Sequence, residues 1–191
     1  MDGNGTVPVR YVIEPSLSRF QVRAFASGMF SAFAHNPTLS VRNFSGEVQF
    51  DADRPEAGSL QLTIQAGSLA VTGDVSEKDR REIDRAMRAE VLEIEKHPEI
   101  SYRSRQISAT RAAEGQYQVE ISGDLELHGV TRNQPIRAQL RVDGDRLRAY
   151  GDFSLRQTDY QIKLVSVAGG TLKVKDELKF SFDIAAQADR N

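Results

Sequence analysis

Cysteine is absent from the 191 residues, which excludes a disulfide framework, a thiolate nucleophile and any cysteine-based zinc site. No apolar run approaches the ~18 residues of a membrane-spanning helix. No lysine or arginine cluster offers a footprint for nucleic-acid phosphates. The 25 basic and 27 acidic residues are interspersed and leave a formal net charge of -2. The start, MDGNGTVPVRYVIEP, lacks the basic opening and apolar core of a secretory signal. The expected compartment is the cytoplasm for the chain as it stands, or the periplasm if a leader has been trimmed from it. Histidine is scarce: His35, His97 and His128 are the three in the chain, and no two stand at ligand spacing. A zinc or iron site would require them to converge from distant segments with carboxylate help, so they read as solvent or turn histidines and no metal is expected. There is no GxSxG elbow, and the pairs Asp51/Asp53 and Asp143/Asp145 fall in turns, where aspartate serves the backbone. Ala168-Gly169-Gly170-Thr171 lacks both the P-loop lysine and the GxGxxG spacing. No catalytic residues and no enzyme are expected.

What is present is alternation. Tyr117, Val119, Ile121, Gly123, Leu125 and Leu127 face polar residues at every intervening position, the mark of a strand with one buried and one wet face. Gly129 interrupts the run, which resumes with Ile136, Ala138, Leu140 and Val142. Further strands are expected at 10–14, 19–26, 59–66, 99–108, 146–155, 171–174 and 178–186. The stretch 38–51 changes apolar phase between Val41 and Phe44, which predicts a bulge or bend at Arg42-Asn43. Asp143-Gly144-Asp145 is a hairpin signal. Residues 1–10 read as a flexible tail, and 27–37, carrying Phe30 and Phe33, as a short helical turn or irregular loop.

One segment has the other period. Ser76 with Asp79 three residues later starts a helix, and Ile83, Met87, Val91 and Ile94 mark one face of it as far as His97-Pro98. Its charge is too negative for an anionic lipid surface, so this face is expected against the barrel. The fold class is therefore all-β: one antiparallel sheet of about eight strands, closed as a barrel or folded as a sandwich, with one inserted α-helix over about 76–94. Two interiors remain open on pattern alone. Phe20, Phe44, Phe153, Phe180 and Phe182 with Leu60, Leu62, Leu125 and Leu127 would fill a core. Ala24, Gly46, Gly123, Ala138, Ala149, Gly151 and Ala186 on the same parities would leave an elongated apolar cavity.

Four segments carry a family resemblance. GDLELHGVTR at 123–132 resembles the G-x-L-x-L-H-G-V-T-(K/R) signature of the YceI-like proteins. Phe44-Ser45-Gly46, HPEISYRS at 97–104 and KDELKFSFDIAA at 175–186 resemble, in order, the family's F-x-G, Y-P-x-I-x-F-x-S and closing-strand steps. The R-x-D-[FY]-G step is altered to Gln157-Thr158-Asp159-Tyr160-Gln161. The resemblance implies a single lipocalin-like, polyisoprenoid-binding barrel domain over 11–187. It further implies a bacterial, non-enzymatic carrier or store for a long lipid: a polyisoprenoid, an isoprenoid quinone or a fatty acyl chain. The alternative is a filled-core structural or stress-related interaction module with no ligand. The lipid is the expected partner, with no other cofactor, and the resemblance allows a homodimer. Expected bore and mouth residues are Phe20, Val22, Phe30, Phe33, His35, Phe44, Leu62, Ile64, Leu125, Leu127, Ile136, Leu140, Phe153, Tyr160, Phe180 and Phe182.

Overall fold

The structure, a computed structural model, describes residues 8–28, 36–73, 75–167 and 172–189. Phe30, Phe33 and His35, residues 29–35 of the loop expected over 27–37 and most of the expected tail lie outside the described residues. The strands are β1 (Val9–Ile13), β2 (Arg19–Arg23), β3 (Ala26–Gly28), β4 (Thr38–Val41), β5 (Phe44–Phe50), β6 (Ser59–Gln65), β7 (Leu69–Thr72) and β8 (Glu99–Ala113). They continue as β9 (Gln116–Leu127), β10 (Val130–Asn133), β11 (Ile136–Asp143), β12 (Arg146–Arg156), β13 (Ser166–Val167), β14 (Leu172–Val174) and β15 (Glu177–Ala188). One helix, α1 (Glu77–Ala86), lies between β7 and β8.

Eight strands close a ring in the order β1-β5-β6-β8-β9-β11-β12-β15, and pairing of Tyr11–Ile13 with Ala186–Ala188 shuts it. Every neighbouring pair is antiparallel. The open alternative, a sandwich, is thereby excluded, and closure leaves the eight-strand ring itself without a free edge. Val9 and Arg10, expected in the tail over 1–10, instead pair with Phe50 and Gln49 in β5. The Arg10 guanidinium also pairs with Glu47 at 2.7 Å and with Asp189.

Three staves of the barrel run on past a break. β1 gives way to β2 across the single turn Pro15–Leu17, β5 follows β4 across Arg42-Asn43, and β6 gives way to β7 across Ala66–Ser68. The upper pieces stay in step, as β15-β2-β4-β7. The phase slip at Arg42-Asn43 is one of these breaks, and it lets both halves turn an apolar face inward although their parities differ. β7 ends that upper sheet, and α1 follows directly from it. Ser76 caps the helix by accepting the Asp79 backbone N–H at 3.2 Å. Arg80 then donates to the carbonyl oxygens of Val71 and Gly73, fastening α1 to the edge of β7.

The expected helix over 76–94 is regular only to Ala86. Met87–Val91 forms a π-helical turn, in which the Leu92 N–H reaches the Met87 carbonyl at 2.8 Å. Val91 and Leu92, at the end of this wider turn, both line the interior. Beside the end of this turn, Leu127 pairs with Val130 across the two-residue turn His128-Gly129. Both turn residues have positive φ, 53° and 73°, the type I′ geometry that matches the twist of the flanking strands. Histidine is, with asparagine and aspartate, enriched among the non-glycine residues found in this region, and the partners of His128 hold it there.

Candidate functional site: a hollow apolar bore

The inward parity of the ring does not fill the barrel. A cavity of about 660 Å³ runs along it, within the usual range for a small-molecule pocket. Its wall takes side chains from each of the eight ring strands and from α1. Phe153 and Phe180 stack face to face in that wall, with centroids 4.7 Å apart and planes 6° apart, and Phe20 tilts against Phe180 at 6.3 Å. Because α1 crosses one end, Ile83, Ala86, Met87 and Val91 complete the lining there.

Polar groups gather at the periphery of this lining. Asp79 and Glu82 of α1 and Lys173 of β14 border the lining and are exposed. Gln49, Ser101, Gln134 and Gln157 are the neutral polar residues on the wall. The ionisable residue set deepest is Tyr102, whose hydroxyl donates to the Gln134 carbonyl at 3.0 Å. Burial pushes that phenol up, well beyond its ordinary value. It stays neutral and is used as a donor. Its ring lies across Gly123, where an added Cβ would sit 2.6 Å from the hydroxyl. Gly123 therefore makes room for Tyr102 rather than for a ligand. Of the small residues noted in the sequence, Ala24, Ala138 and Ala149 do line the cavity.

Phe20, Val22, Leu62, Ile64, Leu125, Leu127, Ile136, Leu140, Phe153, Phe180 and Phe182 are brought together on the cavity wall. Phe44 and Tyr160, also expected there, are not part of it. Phe44 is buried behind the lining, edge-on to Phe20 at 6.3 Å. Tyr160 is buried in the turn Gln157–Tyr160 below β12. The sequence reading missed Ile100, Ile107, Val119, Ile121, Leu147 and Ile184 on the strands, and the helix face Ile83–Met87–Val91. Strand parity carried the signal for the first group. For the second, the helical period showed an inward face but not that the barrel beneath it was hollow.

The turn at 157–160 explains the altered family step. Gln157 is buried where the motif has arginine, and its amide donates to the Lys175 carbonyl at 2.8 Å. Gln161 stands where the motif has glycine and has φ 57°. The left-handed conformation costs an L-residue roughly 1–2 kcal/mol, partly offset by the lower entropy loss relative to glycine. Gln161→Gly is therefore expected to raise stability by about 0.5–1 kcal/mol in urea unfolding; a loss would mean that the glutamine side chain is needed there. Asp176 holds the same turn, accepting from the Thr158 N–H at 2.9 Å, the Thr158 hydroxyl at 2.7 Å and Arg156 at 2.9 Å.

Those bonds, led by the Thr158 N–H, hold the Asp176 carboxyl below its usual range, and Arg148 does the same for Asp183. A carboxyl whose pKa falls on folding contributes stability that is complete above the unfolded value and is lost as pH drops through the folded one. Thermal stability is thus expected to decline below about pH 3.9. Asp176→Asn should flatten the decline in a pH series of melting curves; an unchanged slope would show that Asp176 contributes nothing to it.

Two of the three histidines meet, contrary to their spacing. The rings of His97 and His128 lie 4.6 Å apart, and Glu93 reaches His128 Nε2 at 2.9 Å.

A closed antiparallel barrel with a hollow apolar interior and one helix laid across its end defines the class of extended, lipocalin-like barrels. Within that class the chain belongs to the YceI-like domain family, whose profile matches residues 11–186. Among its relatives, a UPF0312 protein of Azotobacter vinelandii is 29% identical over 139 residues, covering 72% of this chain and 60% of that protein. One of Pseudomonas savastanoi pv. phaseolicola is 26% identical over 179 residues, covering 91% and 84%. Among solved structures, Burkholderia cenocepacia BcnA superposes with a TM-score of 0.70 at 16% identity, covering 92% of this chain and 99% of BcnA. A polyisoprenoid binding domain from Saccharophagus degradans, implicated in plant cell wall breakdown, superposes at 0.67 with 17% identity, covering 95% and 99%.

Proposed function

We propose that the barrel binds one long apolar lipid along its bore, without catalysis, to carry, store or sequester it. The ligand class is a polyisoprenoid or isoprenoid quinone, with a fatty acyl chain as the alternative filling. The observation that carries this reading is the cavity of about 660 Å³ walled by aliphatic and phenyl side chains. Its likeness in fold to a polyisoprenoid binding domain supports the reading. Each chain methylene buried contributes about 0.8 kcal/mol, so ten of them supply roughly 8 kcal/mol, the scale of micromolar binding before the cost of ordering the chain. Few polar contacts are then needed, and the polar residues on the periphery of the lining are enough to meet a head group. Among the described residues, the acidic Asp79 and Glu82 stay exposed on α1, which agrees with binding rather than chemistry.

The test is organic extraction of the purified protein followed by mass analysis, with native mass spectrometry on the same sample. A single prenyl, quinone or acyl lipid per chain is expected, as is uptake of geranylgeraniol or a short-chain ubiquinone by the delipidated protein. An empty protein that takes up none of these overturns the proposal.

A further inference from the structure

We propose that Glu93, His97 and His128 form a site for one divalent transition-metal ion of zinc type, outside the bore. Glu93 comes from the turn after α1, His97 from the approach to β8, and His128 from the β9–β10 turn. Their donor atoms lie within 4.8 Å of one another. Two imidazoles and a carboxylate are the donor set that zinc takes when it keeps one position for water. With bonds of about 2.0–2.1 Å, tetrahedral ligand atoms stand roughly 3.4 Å apart, a small adjustment from the spacing seen.

The hydrogen bonding of His128 points the same way. Its Nδ1 lies 3.2 Å from the Tyr160 carbonyl, which only accepts, so Nδ1 carries the proton and donates. In the neutral ring Nε2 is then the lone-pair nitrogen, and it faces the carboxylate Oε2 of Glu93 at 2.9 Å. Two lone-pair atoms facing each other need a cation between them. A proton would serve that pair alone, whereas a metal ion would also use His97. No hydrogen bond from a described residue holds the His97 ring, which rests against His128. The carbonyl on Nδ1 is the outer partner that orients metal-bound histidines. Lys96 occupies the other Glu93 oxygen at 2.5 Å and leaves Oε2 for the ion. Glu93 is 31% exposed, so solvent reaches the remaining position.

The backbone is held out of its ordinary range at the same place. Among the described non-glycine residues, positive φ occurs at Glu93, His128 and Gln161. The first two supply ligands, and the third follows the carbonyl that orients His128. Strain of this kind persists where the surroundings over-determine a site. The ion would fasten the end of α1 to the β9–β10 turn.

The probes are Zn²⁺ and Co²⁺, added to protein stripped with chelator and then freed of it. Calorimetry should show one Zn²⁺ per chain, Co²⁺ should give the visible bands of a tetrahedral N/O site, and Tm should rise by roughly 5–10 °C at Zn²⁺ a hundredfold above its Kd. His128→Asn retains tolerance of positive φ and an amide N–H for the Tyr160 carbonyl but removes the ligand. This variant, His97→Gln and Glu93→Gln should each weaken binding by about a hundredfold or more, with circular dichroism unchanged. If His128→Asn fails to fold, Glu93→Gln, at a half-buried side chain that keeps its size and shape, carries the test. No uptake by the wild-type chain, or uptake that the folded variants retain, overturns the site.

Discussion

Replacing Ala138 and Ala149 together by phenylalanine is expected to abolish lipid uptake while leaving the barrel folded and at least as stable. Both alanines lie on the cavity wall. They sit on adjacent strands, Ala138 opposite Gly151 and Ala149 opposite Leu140, so the two new rings enter the same stretch of bore. Space is available for them, and this decides the sign. In a full core, added volume costs about 1–3 kcal/mol through forced rotamers. In a hollow one it buries new apolar surface and commonly adds about 0.5–2 kcal/mol. Excluding even four chain methylenes removes roughly 3 kcal/mol of binding, about a hundredfold in Kd. The measurement is a melting curve beside the lipid content of the same preparation. A fall in Tm with lipid content unchanged would show that the bore is not where the ligand sits.

The strands were legible because one face of each is wet. Period-two alternation from Tyr117 to Leu127 located β9, and the phase change near Arg42-Asn43 located the break between β4 and β5. Closure was expected through the family resemblance alone, because it depends on Tyr11–Ile13 meeting Ala186–Ala188 across almost the whole chain, and no local pattern records that contact. The hollow was not legible in the pattern either. An inward leucine has the same parity whether another side chain or a void lies beyond it, so Phe44 and Phe180 looked alike. The wall separates them because β5 places Phe44 behind Phe20, while β15 places Phe180 on the surface of the cavity. The pairing of His97 with His128 was hidden for a related reason. It is made by a turn after the helix and a hairpin thirty-odd residues on, and spacing rules address ligands on one element. Conversely, the altered step at Gln157–Gln161 was visible in the sequence, but its meaning needed the positive φ at Gln161.

That separation yields the second large expected effect. Phe44 is 3% exposed and packed on every side. Phe44→Ala should therefore cost the full transfer and cavity terms, about 3–5 kcal/mol, which for a chain of this size lowers Tm by roughly 6–20 °C. Below the transition the lipid should bind as before, since Phe44 does not reach the bore. Phe180 already borders a void on one side, so Phe180→Ala forfeits less packing. Its loss is the stacking on Phe153, about 0.5–1.5 kcal/mol beyond a partial transfer term. Its effect on binding should be the larger of the two. The bore widens at that point, so a slender acyl chain loses contacts there while a methyl-branched prenyl chain keeps more of them. Measured on one lipid series, Phe44→Ala should shift every melting curve and no binding isotherm, and Phe180→Ala should reorder the isotherms with a modest change in melting. If both variants moved stability alone, the apolar wall would be core and nothing more, and the lipid-binding reading would fall with it.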